Sequence, residues 1–162
     1  MNAGRIGTII GAFFGGLWGV GAARALGGAW SVPLQIGAIV ITLLIVGLAW
    51  SRGVAATGRR FRGLIYGMAV VAEIVAINLA WRYLVARHLQ GAILPVVGFI
   101  VGLHFIGLWL ATGARIFLAI TVGCCLICIL SLVLLPLGIA AIVAGFGMAI
   151  MLWGSTASVI QR

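Results

Sequence analysis

The chain has 162 residues, 65% of them hydrophobic and only 7% charged, with a mean hydropathy of +1.36. A water-soluble domain carries about a quarter charged residues, so this composition excludes one and makes lipid the expected solvent. Ten arginines and no lysine stand against a single acid, Glu73. They punctuate apolar runs and form no basic patch with interleaved aromatics, which excludes nucleic acid as a partner.

Since about 20 apolar residues span a bilayer, six segments are expected, at 6–26, 34–50, 64–84, 92–112, 116–134 and 137–159. They predict an all-α, polytopic membrane protein, a six-helix bundle forming one transmembrane domain over 1–162. The first segment mimics a signal peptide, with Arg5, an apolar stretch and Ala23-Arg24-Ala25 as a small-residue end. It is read here as a first transmembrane helix. Along it Gly7, Gly11, Gly15 and Gly19 recur every fourth residue, and Ala23 and Gly27 continue the row. Such a small-residue stripe lets another helix approach closely. The partner is expected within the bundle, with a homo-oligomer as the alternative and pore lining as a third.

Between the second and third segments, residues 51–62 hold Arg52, Arg59, Arg60 and Arg62. Four arginines in a short loop mark it as cytoplasmic and suit it to anionic lipid headgroups. Six spans then place both termini in the cytoplasm. Arg5, Arg52, Arg59, Arg60, Arg62, Arg115 and Arg162 fall inside, against Arg24, Arg82 and Arg87 outside. Trp30, Trp50, Trp81, Trp109 and Trp153 fall near segment ends, as an aromatic belt requires.

The third segment carries Glu73 amid Val70, Val71, Ile74 and Val75. A carboxylate at bilayer depth costs about 3 kcal/mol on insertion scales, which makes it a functional candidate. At 100° per residue Tyr66, Ala69, Ala76 and Ala80 share its face. Asn78 lies about 140° away, on the face of Arg82, and Arg82 is roughly 13 Å along the axis from Glu73. The fourth segment holds His104, roughly 14 residues after a turn at 89–91 that Glu73 precedes by roughly 17. The two then differ in depth by only ~5 Å. A Glu73–His104 pair is expected, with Gly98 and Gly102 admitting the neighbouring helix. Tyr66, Asn78 and Arg82 complete the candidate ligand or proton site.

Residues 116–160 contain no charge. One helix of that length would reach roughly 67 Å, twice a ~30 Å hydrocarbon core, so the chain must turn, and Pro136 with Gly138 marks the place. Cys124, Cys125 and Cys128 lie in the fifth segment; a second ligand pair is missing, so they read as packing residues and no metal is expected. No nucleophile triad, phosphate loop or dinucleotide fingerprint occurs, so neither hydrolytic catalysis nor a cofactor is indicated. Segments one and four share an echo: Gly16-Leu17-Trp18 with Ala23-Arg24 matches Gly107-Leu108-Trp109 with Ala114-Arg115. An inverted repeat of three plus three helices would leave such a trace.

The run Pro95-Val96-Val97-Gly98-Phe99-Ile100-Val101-Gly102-Leu103-His104-Phe105, followed by Ala114-Arg115-Ile116-Phe117 and Thr121-Val122-Gly123, resembles a family of small bacterial integral membrane proteins without an assigned activity. The resemblance covers residues 94–123. It departs where that family has a proline after the phenylalanine, since Ile106-Gly107 stand here. It implies a bacterial inner membrane and draws attention to His104. The tryptophan-rich five-helix translocators are a poorer fit, because their aromatic–proline signature is absent.

Three functions follow. The first is binding or translocation of a small solute or ion through a proton-coupled Glu73–His104 centre. The second is a structural or accessory subunit joined through the glycine stripe. The third is an intramembrane enzyme acting on a lipid or quinone, with His104 as base.

Overall fold

The computed structural model describes residues 3–52, 54 and 61–160. Its helices are α1 (Ala3–Leu26), α2 (Ser31–Arg52), α3 (Gly63–Ala86), α4 (Ile93–Thr112), α5 (Ile116–Leu134) and α6 (Leu137–Ser158). A short 3-10 turn, Gln90–Ala92, leads into α4. All six helices are long and apolar enough to cross a membrane. Among the described residues the regular structure is helical apart from an isolated bridge between Val54 and Ile160. Arg59, Arg60 and Arg162 lie outside the described residues.

The breaks between helices follow from local chemistry. Leu135 is extended, at φ −123° and ψ 149°, as the residue before a proline must be, and Pro136 cannot donate back into α5. The α6 helix restarts at once, with the Ala140 N–H donating to the Pro136 carbonyl at 2.8 Å. Gly113 ends α4 in the left-handed region at φ 74°, and its N–H donates to the Trp109 carbonyl at 2.7 Å. A glycine there carries no Cβ penalty.

The chain divides into two compact units, one of Met1–Thr57 with Gly145–Arg162, the other of Gly58–Ala144. In the first unit α1 packs antiparallel to α2 and to the end of α6. Its core mixes small residues, Ala12, Ala22, Ala23, Ala38, Ala49 and Ala149, with the larger Trp18, Ile45, Met148 and Leu152. The alanines let the helices approach closely around those larger side chains. A Cβ on Gly15 would meet the Trp153 ring at 2.6 Å, and one on Gly19 would meet Ala38 and Trp153. A Cβ on Gly11 would meet Thr156. The Trp153 Nε1–H donates to the Thr42 hydroxyl at 3.3 Å, and Thr42 donates to the Ala38 carbonyl at 2.9 Å. So three glycines of the α1 stripe face residues of their own chain. Among the described residues nothing lies within 4 Å of a Cβ on Gly7.

In the second unit α4 lies between antiparallel neighbours. It packs against α3 through Gly107 and Ala69, and against α5 through Gly102, Cys124 and Cys125. The 3-10 turn that leads into it follows Leu89, whose N–H donates to the Leu84 carbonyl at 2.9 Å. That turn brings His88 into the left-handed region, at φ 56°.

Candidate functional site

Glu73 is the eleventh of the 24 residues of α3. A helix of that length is about 36 Å long, and Glu73 sits within about 2 Å of its midpoint. Its face of α3 is built from small residues, and Ala69 on that face touches Gly107 of α4. With no side chain between them, the two backbones come close enough for the next side chains along to meet. The His104 Nδ1 lies 3.3 Å from Glu73 Oε2. The His104 side chain is 10% exposed and that of Glu73 19%.

This contact has the distance of an ion pair but not the alignment of a hydrogen bond, because Nδ1 is buried without a hydrogen-bond partner. A buried polar atom left so costs about 1–3 kcal/mol. A modest ring rotation, a water or a proton shared with the carboxylate would recover it. The ring is also held from its edges. Tyr66 meets it edge-on, with ring centroids 6.3 Å apart, and Tyr66 in turn packs on Phe61 at 5.5 Å. Phe105, the next residue, stacks on Phe117 of α5 at 6.1 Å.

Of the five residues expected at the site, three come together: Glu73, His104 and Tyr66. Asn78 and Arg82 do not join them. Both are exposed on the other side of α3, and the Asn78 amide donates back to the Ile74 carbonyl at 2.8 Å. The expectation for the glycines is corrected too. Gly102 faces α5, where a Cβ would meet Cys125 Sγ at 3.0 Å and Cys124 Cβ at 3.1 Å. Gly98, one turn earlier on that side, is buried. The glycine that admits α3 is Gly107, which the sequence offered only as part of the echo with α1.

The remaining candidates sit apart from this pair. Arg52 and Arg62 are exposed, and the Arg62 main chain is fixed by donation to the Ala111 carbonyl at 2.9 Å. Cys124 and Cys128 are buried, and the Cys125 thiol lies 3.9 Å from the Phe99 carbonyl. Among the described residues no group of three or more His, Cys, Asp or Glu side chains is placed to hold a metal. Two convergent ligands, an imidazole and a carboxylate, are fewer than the three or four protein ligands of a resident transition metal. They are the two side-chain types that most readily hold and pass a proton.

Comparison of the chain with known protein families, with characterised proteins and with solved structures finds no match.

Proposed function

We propose that the chain is a six-span integral protein of a bacterial inner membrane, with both termini in the cytoplasm. In this reading it binds or translocates a small solute or ion, and Glu73 and His104 are its proton-binding centre. The membrane reading is supported by six apolar helices of spanning length. The orientation rests on the arginine asymmetry, and the bacterial inner membrane on the resemblance of residues 94–123. The observation that carries the functional reading is the 3.3 Å approach of the sole acid to a nine-tenths buried histidine.

The chemistry follows from charge. With one proton between them the pair is neutral, whether as carboxylate and imidazolium or as carboxylic acid and imidazole. Loss of that proton leaves one negative charge near mid-helix, and gain of a second leaves one positive charge. Either is expensive in a low-dielectric interior. Each change is therefore coupled to whatever restores neutrality: entry of a small cation in the first case, its exit or an anion's entry in the second. Tyr66 and the Gly107–Ala69 contact hold the two groups at this distance. A lipid-borne substrate would find little of the His104 ring to reach, so the enzymatic reading has less support.

The test is a Glu73→Gln variant reconstituted in liposomes beside the wild type, with a pH-sensitive dye inside and cation flux recorded under an imposed proton gradient. The glutamine keeps the size and removes the titration. Wild-type flux in the variant would take the carboxylate out of the mechanism.

A further inference from the structure

An imidazole has two nitrogens that face different ways, and a proton taken up at one can be released from the other. In His104 the two are not alike. Nδ1 lies 3.3 Å from Glu73 Oε2 and is buried without a hydrogen-bond partner. Nε2 points away from the carboxylate and makes no hydrogen bond among the described residues.

Two aromatic neighbours fix this arrangement. Tyr66 meets the imidazole at an interplanar angle of 69° with centroids 6.3 Å apart, and Phe105 meets it at 70° with centroids 6.1 Å apart. Exchanging the two nitrogens takes a half-turn of the ring about Cβ–Cγ, which sweeps its edges past both neighbours. Close packing opposes that turn. Among the described residues, the titratable side chains brought toward this point by the helices packed on α4 are Glu73 and Tyr66, both from α3. On α5, Cys124 and Cys125 lie against Gly102, about 200° round α4 from His104.

We infer that His104 is the relay that loads Glu73: a proton arrives at Nε2, and the proton on Nδ1 passes to Oε2. Tyr66 is the positioning residue that keeps Nδ1 toward the carboxylate. The inference rests on the proton-binding reading of the pair given above and assigns each atom its part. The unloaded pair is a carboxylate beside a neutral imidazole protonated on Nδ1. Uptake at Nε2 makes the imidazolium, and the N–H bond at Nδ1 then breaks as an O–H bond forms at Oε2. The carboxylate, on its flexible stem, swings into line for this transfer. A carboxylic acid and an imidazole protonated on Nε2 are left, and the pair has gained one proton. Because the ring does not turn over, the acid returns its proton to Nδ1 and Nε2 releases one. Loading and unloading therefore share one route.

The test is time-resolved infrared spectroscopy of the full chain in phosphatidylcholine vesicles after a rapid drop in pH. Glu73 is the only acidic side chain, so the protonated-carboxyl band that disappears in Glu73→Gln reports it alone. His104→Gln keeps an N–H but takes up no proton, and should slow the rise of that band about a hundredfold. Tyr66→Leu should slow it roughly tenfold, and Tyr66→Phe, which keeps the ring edge, should restore it. His88 is exposed at φ 56°, a region asparagine tolerates, so His88→Asn leaves one histidine for nitrogen-15 NMR. Its proton should sit on Nδ1 before loading and on Nε2 after, and Tyr66→Leu should mix the two tautomers. A wild-type rate in His104→Gln would overturn the relay and leave the proton centre standing, whereas no Glu73 band at any pH would overturn both. An unloaded pair already protonated on Nε2 would overturn the relay in the otherwise intact site. Tautomers indifferent to Tyr66→Leu would remove Tyr66 from the positioning role.

Discussion

Replacing Gly107 with alanine should loosen α3 from α4 and disturb the Glu73–His104 pair in the same step. The added methyl would land on Ala69 Cβ, well inside the about 3.5–4.0 Å at which carbons rest against one another. Neither group can rotate away, since both are Cβ atoms fixed by helical backbone. The helices must part locally by about an ångström. Overpacking of this kind costs about 1–3 kcal/mol, offset by the ~0.5–1 kcal/mol that alanine gains over glycine inside a helix. A net loss of about 1–2 kcal/mol is expected, and the Nδ1 to Oε2 distance of 3.3 Å should open beyond ion-pair range. Ala69→Gly removes the obstructing methyl, so the double variant should return to within about 0.5 kcal/mol of the wild type. Thermal unfolding in mild detergent measures the stabilities, and proton flux in liposomes reports the pair. Gly107→Ala as stable as the wild type, or no rescue by Ala69→Gly, would refute the account of this contact.

Two further outcomes separate residues that look alike in the sequence. Gly7→Ala should be neutral or stabilising by up to ~1 kcal/mol, because none of the described residues lies within 4 Å, whereas Gly15→Ala meets the Trp153 ring and should cost about 1–3 kcal/mol; unfolding midpoints of the two variants decide it. Gly113→Ala should lose about 1 kcal/mol for backbone reasons alone, since its φ is 74° and there is open space about it, and Gly113→Asn should lose less in the same assay.

Much of the helical order was legible because bilayer-length apolar runs leave few choices. The break at Pro136 needed only a length argument and a residue that cannot donate, and α5 ends and α6 begins within two residues of it. Glu73 and His104 were legible as a pair because a tight turn sets the depth of what precedes and follows it. The angular neighbours were harder to read. Periodicity tells which side of a helix is small, but not which helix lies there. Gly98 and Gly102 looked suited to α3, and Gly102 instead meets α5. The echo between α1 and α4 has the same difficulty. Gly16 faces Thr42 on the following helix, while its counterpart Gly107 faces Ala69 on the preceding one. Shared residues thus do not occupy equivalent packing positions. Asn78 and Arg82 were grouped with Glu73 by their polarity alone, although the 140° between Asn78 and Glu73 already set that pair on different sides.

The corner at Pro136 has a consequence for how the last two helices sit in their solvent. From residue 116 to 160 there is no charged side chain to grip the headgroups. Pro136 offers no N–H to the Leu132 carbonyl four residues earlier, and the first turn of α6 has N–H groups that no preceding turn can satisfy. These bare main-chain dipoles are intolerable in hydrocarbon and comfortable in water. Within a bilayer such a corner would be a float, held at the interface because its own backbone would be unsatisfied anywhere deeper. A bilayer of altered thickness would have to pinch or swell around this corner before it submerged.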